Sequence, residues 1–380
     1  MDQPLSVAGV AQSRYTRSTP EERLEETIYR IAAAALADAG MTRDDVDNVV
    51  IAASDAVDGR AISSMLSACS AGAYLKDEIK VADEGGFAII AAALRLLTGD
   101  FETSLIVSWS KPSECELTAI EVIAADPFFT RPFGLTHASS TALMAGCYRK
   151  RYALPGDLPA AVVAKNRANG SRNPSLASPD AVTAADVLAS RYVAYPVREL
   201  ELATAADGVA AVVLTRNKQL CRKQPLAKLT GMGWATEGYE LGERDLTRFA
   251  ALEIAAKRAY EMVGITDPLN ELDVAEIADL SAYHELMAYE AFQFCGTGEA
   301  GRLLTSGATA MGGTLPVNPS GGCLSAWPVF SAGLTRFVEC CLQVSGRAEG
   351  RQVSGAKTAL AHACAGYAGQ NHAVMILQAV

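Results

Sequence analysis

An acidic pair directly precedes a pair of glycines in the first quarter of the chain, in the segment Asp83-Glu84-Gly85-Gly86. The residues that follow, from about Phe87 to Thr98, are apolar or small apart from Arg95, and a helix of this kind is normally buried. A buried helix that begins at two glycines brings free backbone N–H groups and the positive end of its dipole into the interior. This environment suits a nucleophile, a general base or a developing oxyanion.

The acidic pair also has a purely structural interpretation. An acid at a helix N-terminus typically stabilises the helix by about 0.3–1 kcal/mol, so Asp83 or Glu84 could be a cap and nothing more. The functional alternative is a general base whose pKa is shifted in a partly dry pocket. The residues alone leave both interpretations open.

Strands and helices alternate around this segment. Residues 5–10 and 46–53 are predicted strands, and the helix between them begins at Thr19-Pro20 and ends at Gly40. Two further continuous apolar runs are typical of strands that are covered on both faces: 104–108 and 208–214. The alternation predicts an α/β fold with helices on both sides of its sheet.

The middle of the chain follows a looser pattern. Helices are predicted near 137–152 and 182–191, and the polar residues of 166–179 indicate a loop. We interpret 111–200 as an inserted cap lobe rather than a continuation of the sheet.

Two segments of the first part of the chain return later in the same order. The helix end at Gly40 and the strand after it have a counterpart at Gly264, and Val81–Gly86 is echoed by Val317–Gly322. We therefore predict a duplication in which two buried helices lie side by side with their N-termini near one pocket. The two halves would comprise 1–110 with 201–225, and 226–380.

Composition excludes several classes of protein. The net charge is −10 and the basic residues form no dense patch, which argues against binding to nucleic acid. The first residues do not show a basic region followed by an apolar one, and no apolar run approaches 18 residues, so we expect neither an export signal nor a membrane span. The nine cysteines show no Cys-x-x-Cys spacing and the four histidines show no metal-ligand spacing. We expect a reduced, cytoplasmic protein without a metal site.

Five stretches follow one another along most of the chain: KNRANGSRNP (165–174), ADGVAAVVL (206–214), AYEAFQFCGTGEAGRLL (288–304), GTLPVNPSGG (313–322) and GRQVSGAKTALAH (350–362). In this order they resemble the thiolase superfamily, and most closely the thiolases of the sterol-carrier-protein and lipid-transfer-protein type. The resemblance implies a duplicated five-layer α-β-α-β-α fold with an inserted cap, and a dimer. It also implies an acyl-CoA thioester as the substrate and no permanently bound cofactor.

Three departures from the family pattern concern its catalytic groups. In the register set by Gly85-Gly86, Ala82 falls where thiolases have the nucleophilic cysteine. Ala278 replaces a histidine next to Asp279, which is kept, and Trp327 replaces the histidine of a second motif. Covalent acyl transfer needs a thiolate, so ordinary thiolysis or Claisen condensation is not expected of this chain.

The resemblance also suggests which polar groups remain. The C-terminal loop of the family contributes to its active site, which makes three residues there acid/base candidates: His362, Cys364 and Tyr367. Asp279 could hold a water molecule or a partner side chain. Contacts to the phosphates of CoA would come from Lys165, Arg167 or Arg172. The N–H groups that stabilise an oxyanion would come from the two glycine turns: Gly85, Gly86, Asn318, Gly321 and Gly322.

Three hypotheses for the function follow. The first is an aldolase or retro-aldolase that acts on a lipid, steroid or aromatic acyl-CoA with a small OB-fold, zinc-ribbon partner, although the tyrosines associated with such aldolases are missing from the equivalent loops. The second is a non-catalytic subunit that pairs with a thiolase-like paralogue. The third is acyl transfer through another cysteine, Cys364 or Cys323.

Overall fold

The computed structural model describes residues 4–177, 182–221 and 223–380. The strands in these residues are β1 Leu5–Gln12, β2 Asn48–Ala52, β3 Asp77–Val81, β4 Thr103–Ser110, β5 Tyr192–Ala194, β6 Val197–Arg198, β7 Gly208–Thr215, β8 Ala227–Thr236, β9 Val274–Glu276, β10 Thr358–Ala365 and β11 Asn371–Gln378. The helices are α1 Leu24–Ala39, α2 Ser64–Ser67, α3 Gly85–Thr98, α4 Leu117–Ala124, α5 His137–Tyr152, α6 Leu158–Gly170, α7 Ala184–Ala189, α8 Ala250–Val263, α9 Pro268–Glu271, α10 Ala282–Ala291, α11 Ala300–Thr305, α12 Gly322–Ser325 and α13 Ala332–Val344.

Nine strands form one sheet in the order β3-β2-β4-β7-β1-β8-β11-β10-β9. In the first half, β2 is parallel to β3 and β4, whereas β7 is antiparallel to β4 and β1. In the second half, β9 is parallel to β10, and β11 is antiparallel to β10 and β8. The halves meet where β1 pairs with β8, and each adds its strands in the same order. The predicted duplication is confirmed by this topology.

Helices α3 and α13 lie between the two half-sheets. One core cluster joins Ile89 of α3 and Phe337 of α13 with Ile106 from the first half and Met375 from the second. Helix α1 covers the other face of the first half, and α8 covers the other face of the second half. The layers therefore run α-β-α-β-α, as expected.

Glycine ends the outer helix in both halves. Gly40 after α1 and Gly264 after α8 have φ angles of 67° and 77°, a left-handed conformation that glycine adopts without steric cost. This is the physical basis of the first sequence repeat, since both helices must stop and turn toward a strand at the same place.

The second repeat is less regular than predicted. Val317 does pair in parallel with Ala275 of β9, as β3 pairs with β2. The helix that begins at Gly322, however, has only four residues. The long buried counterpart of α3 is α13, which begins at Ala332. The expectation of a long helix directly after Gly321-Gly322 is therefore wrong.

Two other predictions need correction. Helix α3 is not covered on every face, since Leu94 and Leu97 are each 43 % exposed. The predicted polar loop over 166–179 is helical up to Gly170, and its last two residues lie outside the described part of the chain. Within the described residues, no helix is long and apolar enough to cross a membrane.

Candidate active site

A cavity of about 300 Å³ opens where α3 begins. Its wall combines the residues before α3, the inner side of α4, the first residue of α5, the segment before α13 and the turn between β10 and β11. Most of the lining side chains are apolar. The polar groups among them include Asp83, Glu84, Glu121, His137, Cys364 and Tyr367.

Glu84 is the most deeply placed of these polar residues. It is the N-cap of α3, and its Oε2 accepts a hydrogen bond of 2.8 Å from the Gly86 N–H. Its Oε1 accepts from the N–H of Gly333, in the first turn of α13. Only 3 % of the residue is exposed, and burial raises the pKa of its carboxyl to about 8. Glu84 is therefore mainly protonated at neutral pH.

This arrangement changes the expected role of the glycine turn. The Gly86 N–H was a predicted oxyanion donor, but it is already used by the Glu84 side chain. The donors of α3 and α13 converge on this one carboxyl group, and α13 has no side-chain cap of its own at Ser331. A ligand at this position would therefore meet the protonated Glu84 carboxyl as a hydrogen-bond donor, instead of free backbone N–H groups.

Two glycines make room for the Glu84 carboxyl. A Cβ on Gly333 would lie 2.3 Å from Glu84 Oε2 and 2.4 Å from the Cβ of Ala363, and a Cβ on Gly86 would lie 2.3 Å from the same Ala363 atom. Real Cβ atoms do not approach other atoms this closely. Glycine at both positions is required for α3, α13 and β10 to meet around the carboxyl.

The neighbouring acidic residue faces outward. Asp83 is exposed at the cavity rim and accepts a hydrogen bond of 3.3 Å from the side chain of Asn371. Ala82, the predicted nucleophile position, is also exposed. Of the nine cysteines, all in described residues, only Cys364 lines the cavity.

The β10–β11 turn contributes two of the predicted candidates. Cys364 is 5 % exposed, and burial with the nearby Glu84 carboxyl raises the pKa of its thiol to about 12. Burial also raises the pKa of Tyr367 to about 12, and its hydroxyl donates to the backbone carbonyl of Glu121. Arg244 fixes the turn by donating to the carbonyls of three consecutive residues, 367–369.

The two other acid/base candidates are enclosed elsewhere. His362 is not among the described residues that line the cavity; its Nδ1 accepts from the Ala278 N–H at 3.2 Å, and its Nε2 lies 3.0 Å from His372 Nδ1. Burial holds its pKa well below the ordinary value. The assignment of His362 as an active-site acid or base is wrong, because both ring nitrogens are used in the core.

Asp279 also lies outside the described lining of the cavity. Its carboxyl accepts hydrogen bonds from the backbone N–H groups of Cys323 and Leu324, at the start of α12, and from the Asn166 side chain at 2.7 Å. Burial and the nearby Glu285 raise its pKa to about 7. Asp279 thus holds a partner side chain, that of Asn166, but it does so away from the cavity.

The second glycine turn belongs to this same polar cluster. Asn318 Oδ1 accepts from the Ile277 N–H, and its Nδ2 donates to Glu285. A Cβ on Gly322 would lie 2.2 Å from Asp279 Oδ2, and one on Gly321 would lie 2.5 Å from the backbone of α6. These glycines allow α6 and α12 to approach each other closely. The Gly321 N–H donates to the Asn318 carbonyl and the Gly322 N–H to Ser320 Oγ, and the oxyanion role of this turn stays a prediction.

Two of the three residues predicted to contact CoA phosphates are also enclosed in the protein. Lys165 forms an ion pair of 2.9 Å with the fully buried Glu285 and also donates to the Val317 carbonyl. Arg167 is buried in α6. Both side chains are therefore unsuited to CoA phosphates, whereas Arg172 is exposed and its phosphate contact stays a prediction.

One functional candidate of the cavity wall, His137, has no signal in the sequence. Its ring packs against that of Trp327 with the centroids 5.2 Å apart and the planes tilted by 38°, and both residues line the cavity. His137 is the first residue of a helix that the sequence does predict, but nothing nearby in the sequence marks it as part of a site. Among the described residues, no group of acids, histidines and cysteines is arranged to hold a metal ion.

Known proteins share this architecture. Residues 233–379 match the family model described as "Thiolase C-terminal domain-like". The "Ltp2-ChsH2(DUF35) aldolase" superposes with a TM-score of 0.84 at 21 % identity and covers 99 % of this chain and 98 % of its own. A monomeric SCP2-thiolase-like protein of Mycobacterium smegmatis gives a TM-score of 0.74 at 16 % identity, over 99 % of this chain and 77 % of its own. The chain therefore has a thiolase-like fold, and its C-terminal part matches the thiolase C-terminal domain.

Sequence relatives of this thiolase-like protein include enzymes of acyl transfer. The acetyl-CoA acetyltransferase of Methanothermobacter thermautotrophicus is 27 % identical over 376 residues, which cover 96 % of this chain and 97 % of the relative. Human sterol carrier protein 2 is 31 % identical over 207 residues, or 52 % of this chain. The matched part is only 37 % of that longer relative.

Proposed function

We propose that this thiolase-like protein breaks or forms a C–C bond next to an acyl-CoA thioester, in an aldol or retro-aldol reaction, without an acyl-cysteine intermediate. The observation that carries the proposal is the buried, protonated Glu84 at the start of α3, in an apolar cavity. A carboxylic acid in this place can donate a proton to an enolate, whereas it cannot replace a thiolate as an acyl carrier.

In the retro-aldol direction the substrate is a β-hydroxyacyl thioester. A base removes the hydroxyl proton, the Cα–Cβ bond breaks, and its electron pair forms the thioester enolate. Glu84 then donates its proton to Cα, which yields a shortened acyl thioester and a free aldehyde or ketone. Proton transfer from the base back to Glu84 restores the starting state, so no further reactant is needed.

The state of the cysteines supports a reaction without a thiolate. Cys364 lines the cavity, but the pKa of its thiol is raised to about 12 beside Glu84. Cys323 is fully buried, and its pKa is held well above the ordinary value by burial and by Asp279. Neither thiol is ionised at neutral pH, and this disfavours acyl transfer through Cys364 or Cys323.

Two features support particular ligands and partners. The apolar lining suits a hydrophobic acyl group, and similarity to an acetyl-CoA acetyltransferase supports CoA as the carrier. Similarity to an aldolase that carries a DUF35 component supports a second protein chain, for which we propose the small OB-fold, zinc-ribbon type. The open edge of β3 and the exposed Leu94 and Leu97 suit a further chain of the same fold, either a second copy or a paralogue.

The direct test is a panel of 3-hydroxyacyl-CoA thioesters of increasing chain length. The protein is incubated with them alone and together with its co-purified partner, and the shortened acyl-CoA and the carbonyl product are quantified by mass spectrometry. Formation of both products in equal amounts is expected. Thiolysis that depends on free CoA, with no carbonyl product, would contradict the proposal.

A non-catalytic subunit is the second candidate function. It is favoured by one observation, which is that Glu84 caps both α3 and α13 and so has a structural role that needs no substrate. In that case the chain would co-purify with a cysteine-containing thiolase-like paralogue, and the complex would keep its activity when Glu84 is replaced. Turnover by a homodimer of this chain would exclude it.

A further inference from the structure

His137 presents an imidazole to the cavity from the side of the cap. It is the first residue of α5, and its backbone N–H donates to the Glu121 carboxylate at 3.0 Å. Thr136 caps the same helix end by accepting from the Ser139 N–H. The ring packs against Trp327 at an angle of 38°, so both the backbone and the ring are held at the cavity wall.

The hydrogen bonds of His137 determine its tautomer. Nε2 lies 3.3 Å from the backbone carbonyl oxygen of Leu280, and a carbonyl can only accept, so Nε2 carries the hydrogen. Nδ1 of the neutral ring is then an unprotonated acceptor, and no described residue donates to it. Burial lowers the pKa of His137, which keeps the ring neutral at physiological pH.

The other three histidines of the chain present no such nitrogen to the cavity. In His362, Nδ1 accepts from a backbone N–H and Nε2 donates to His372, which in turn donates from Nε2 to the Gly369 carbonyl. In His284, Nδ1 faces the Ser281 hydroxyl at 2.8 Å, and Nε2 has no hydrogen-bond partner among the described residues but is enclosed in the core. All three are almost completely buried, and none is among the described residues lining the cavity.

We propose that His137 is the general base of the reaction, with Nδ1 taking the β-hydroxyl proton of the substrate. This assignment rests on the proposed C–C bond cleavage, and it supplies the base that the reaction requires. As the Cα–Cβ bond breaks, the hydroxyl proton passes to Nδ1 and the Leu280 carbonyl stabilises the resulting imidazolium through Nε2–H. Glu84 delivers its own proton to the enolate carbon, so one proton is taken and one is given in each turnover.

The geometry suits these complementary roles. Both groups line one cavity, but they come from different parts of the fold, Glu84 from the start of α3 and His137 from the start of α5. Both are uncharged before the reaction, and a neutral base with a neutral acid is the pair that a mainly apolar cavity tolerates. The substrate would lie between them with its thioester toward α3.

The first experiment measures access to Nδ1 and does not depend on turnover. Diethyl pyrocarbonate acylates unprotonated imidazole nitrogens, so we expect one of the four histidines, His137, to be labelled in the folded protein, as read by peptide mass spectrometry. Octanoyl-CoA, which lacks the hydroxyl and is not cleaved, should protect it. Labelling of another histidine first, or no protection at a saturating concentration of octanoyl-CoA, would overturn the assignment.

The second experiment uses variants. His137→Gln keeps a donor for the Leu280 carbonyl but removes the base, and we expect kcat for 3-hydroxyoctanoyl-CoA cleavage to fall about 10²–10⁴-fold with little change in KM. Added imidazole should restore part of the rate of His137→Ala, which a purely structural role would not allow. If the wild-type protein cleaves the substrate and H137Q cleaves it equally fast, the base assignment alone is refuted. Absence of cleavage by the wild type would refute the proposed function as well.

Discussion

Two buried carboxyl groups in this molecule have nearly the same electrostatics and different surroundings. Glu84 accepts backbone hydrogen bonds at the starts of α3 and α13, and Asp279 accepts them at the start of α12. Burial raises the pKa of both, to about 8 and about 7. Glu84 lines a cavity, whereas Asp279 lies in a closed cluster with Asn166 and Glu285.

The comparison shows that a shifted pKa does not identify a catalytic acid by itself. Desolvation acts on any buried carboxyl, whether or not a ligand can reach it. The additional requirement is access, which Glu84 has because the apolar walls of α4 and the β10–β11 turn leave space in front of it. Asp279 lacks such space, since neighbouring amides and backbone N–H groups surround its oxygens.

The largest difference should appear when each carboxyl becomes an amide. Glu84→Gln removes the proton donor, and we expect the rate of C–C cleavage per folded molecule to fall at least about 100-fold. Asp279→Asn should change this rate less than about threefold. The measurement is kcat on a 3-hydroxyacyl-CoA, with the folded fraction determined by thermal unfolding.

These two variants are matched controls for stability. Each places an amide NH₂ opposite backbone N–H donors, and such a mismatch costs about 1–3 kcal/mol. Both should therefore lower the free energy of unfolding by similar amounts. If E84Q and D279N lose activity equally, Glu84 is no more than a second structural cap.

A glycine substitution tests how tightly the first carboxyl is enclosed. Gly333→Ala places a Cβ 2.3 Å from Glu84 Oε2, so we expect a loss of unfolding free energy of about 1–3 kcal/mol from overpacking. Gly350→Ala is the control, because its Cβ would have only one neighbour within 4 Å, at 3.8 Å. Denaturant unfolding measures both, and an equally stable G333A protein would mean that α3 and α13 do not meet around Glu84.

The pH dependence of stability provides a further test of the buried Glu84 carboxyl. The pKa of Glu84 is about 8 in the folded protein against an ordinary 4.5, so the folded state holds one more proton between these values. The contribution of Glu84 to the free energy of unfolding is therefore fully present below about pH 4.5. It decreases by up to about 1.4 kcal/mol per pH unit as the pH rises toward 8. E84Q should lack this contribution. Identical pH profiles of unfolding for the wild type and E84Q would show that Glu84 is ionised in the fold.

Much of the fold could be predicted because its signals are local. Apolar runs and the glycines after α1 and α8 mark the strands and helix ends within a few residues of sequence. The start of α13 could not be placed, since the residues between Gly322 and Ser331 carry no clear helix signal. The polar residues of α6 resemble a loop in the sequence, but the Asn166 side-chain NH₂ donates to Asp279 and Glu285, which lie more than a hundred positions away.

The site was only partly predictable for the same reason. Glu84 was found because its cap motif is contiguous, although its second partner, Gly333, lies 249 positions away. His137 was missed because the carbonyl that sets its tautomer is 143 positions distant. The sequence points to His362 instead, because its core partners, the Ala278 N–H and His372, cannot be recognised from the sequence.

Whether an acyl-cysteine forms during turnover can be measured directly. The protein is mixed with a 3-hydroxyacyl-CoA that it cleaves, the reaction is stopped with acid during turnover, and the intact mass of the chain is determined. We predict the mass of the unmodified protein throughout, together with equal amounts of shortened acyl-CoA and carbonyl product. An acyl adduct that forms and decays at the rate of turnover, mapped to Cys364 or any other cysteine, would contradict the account.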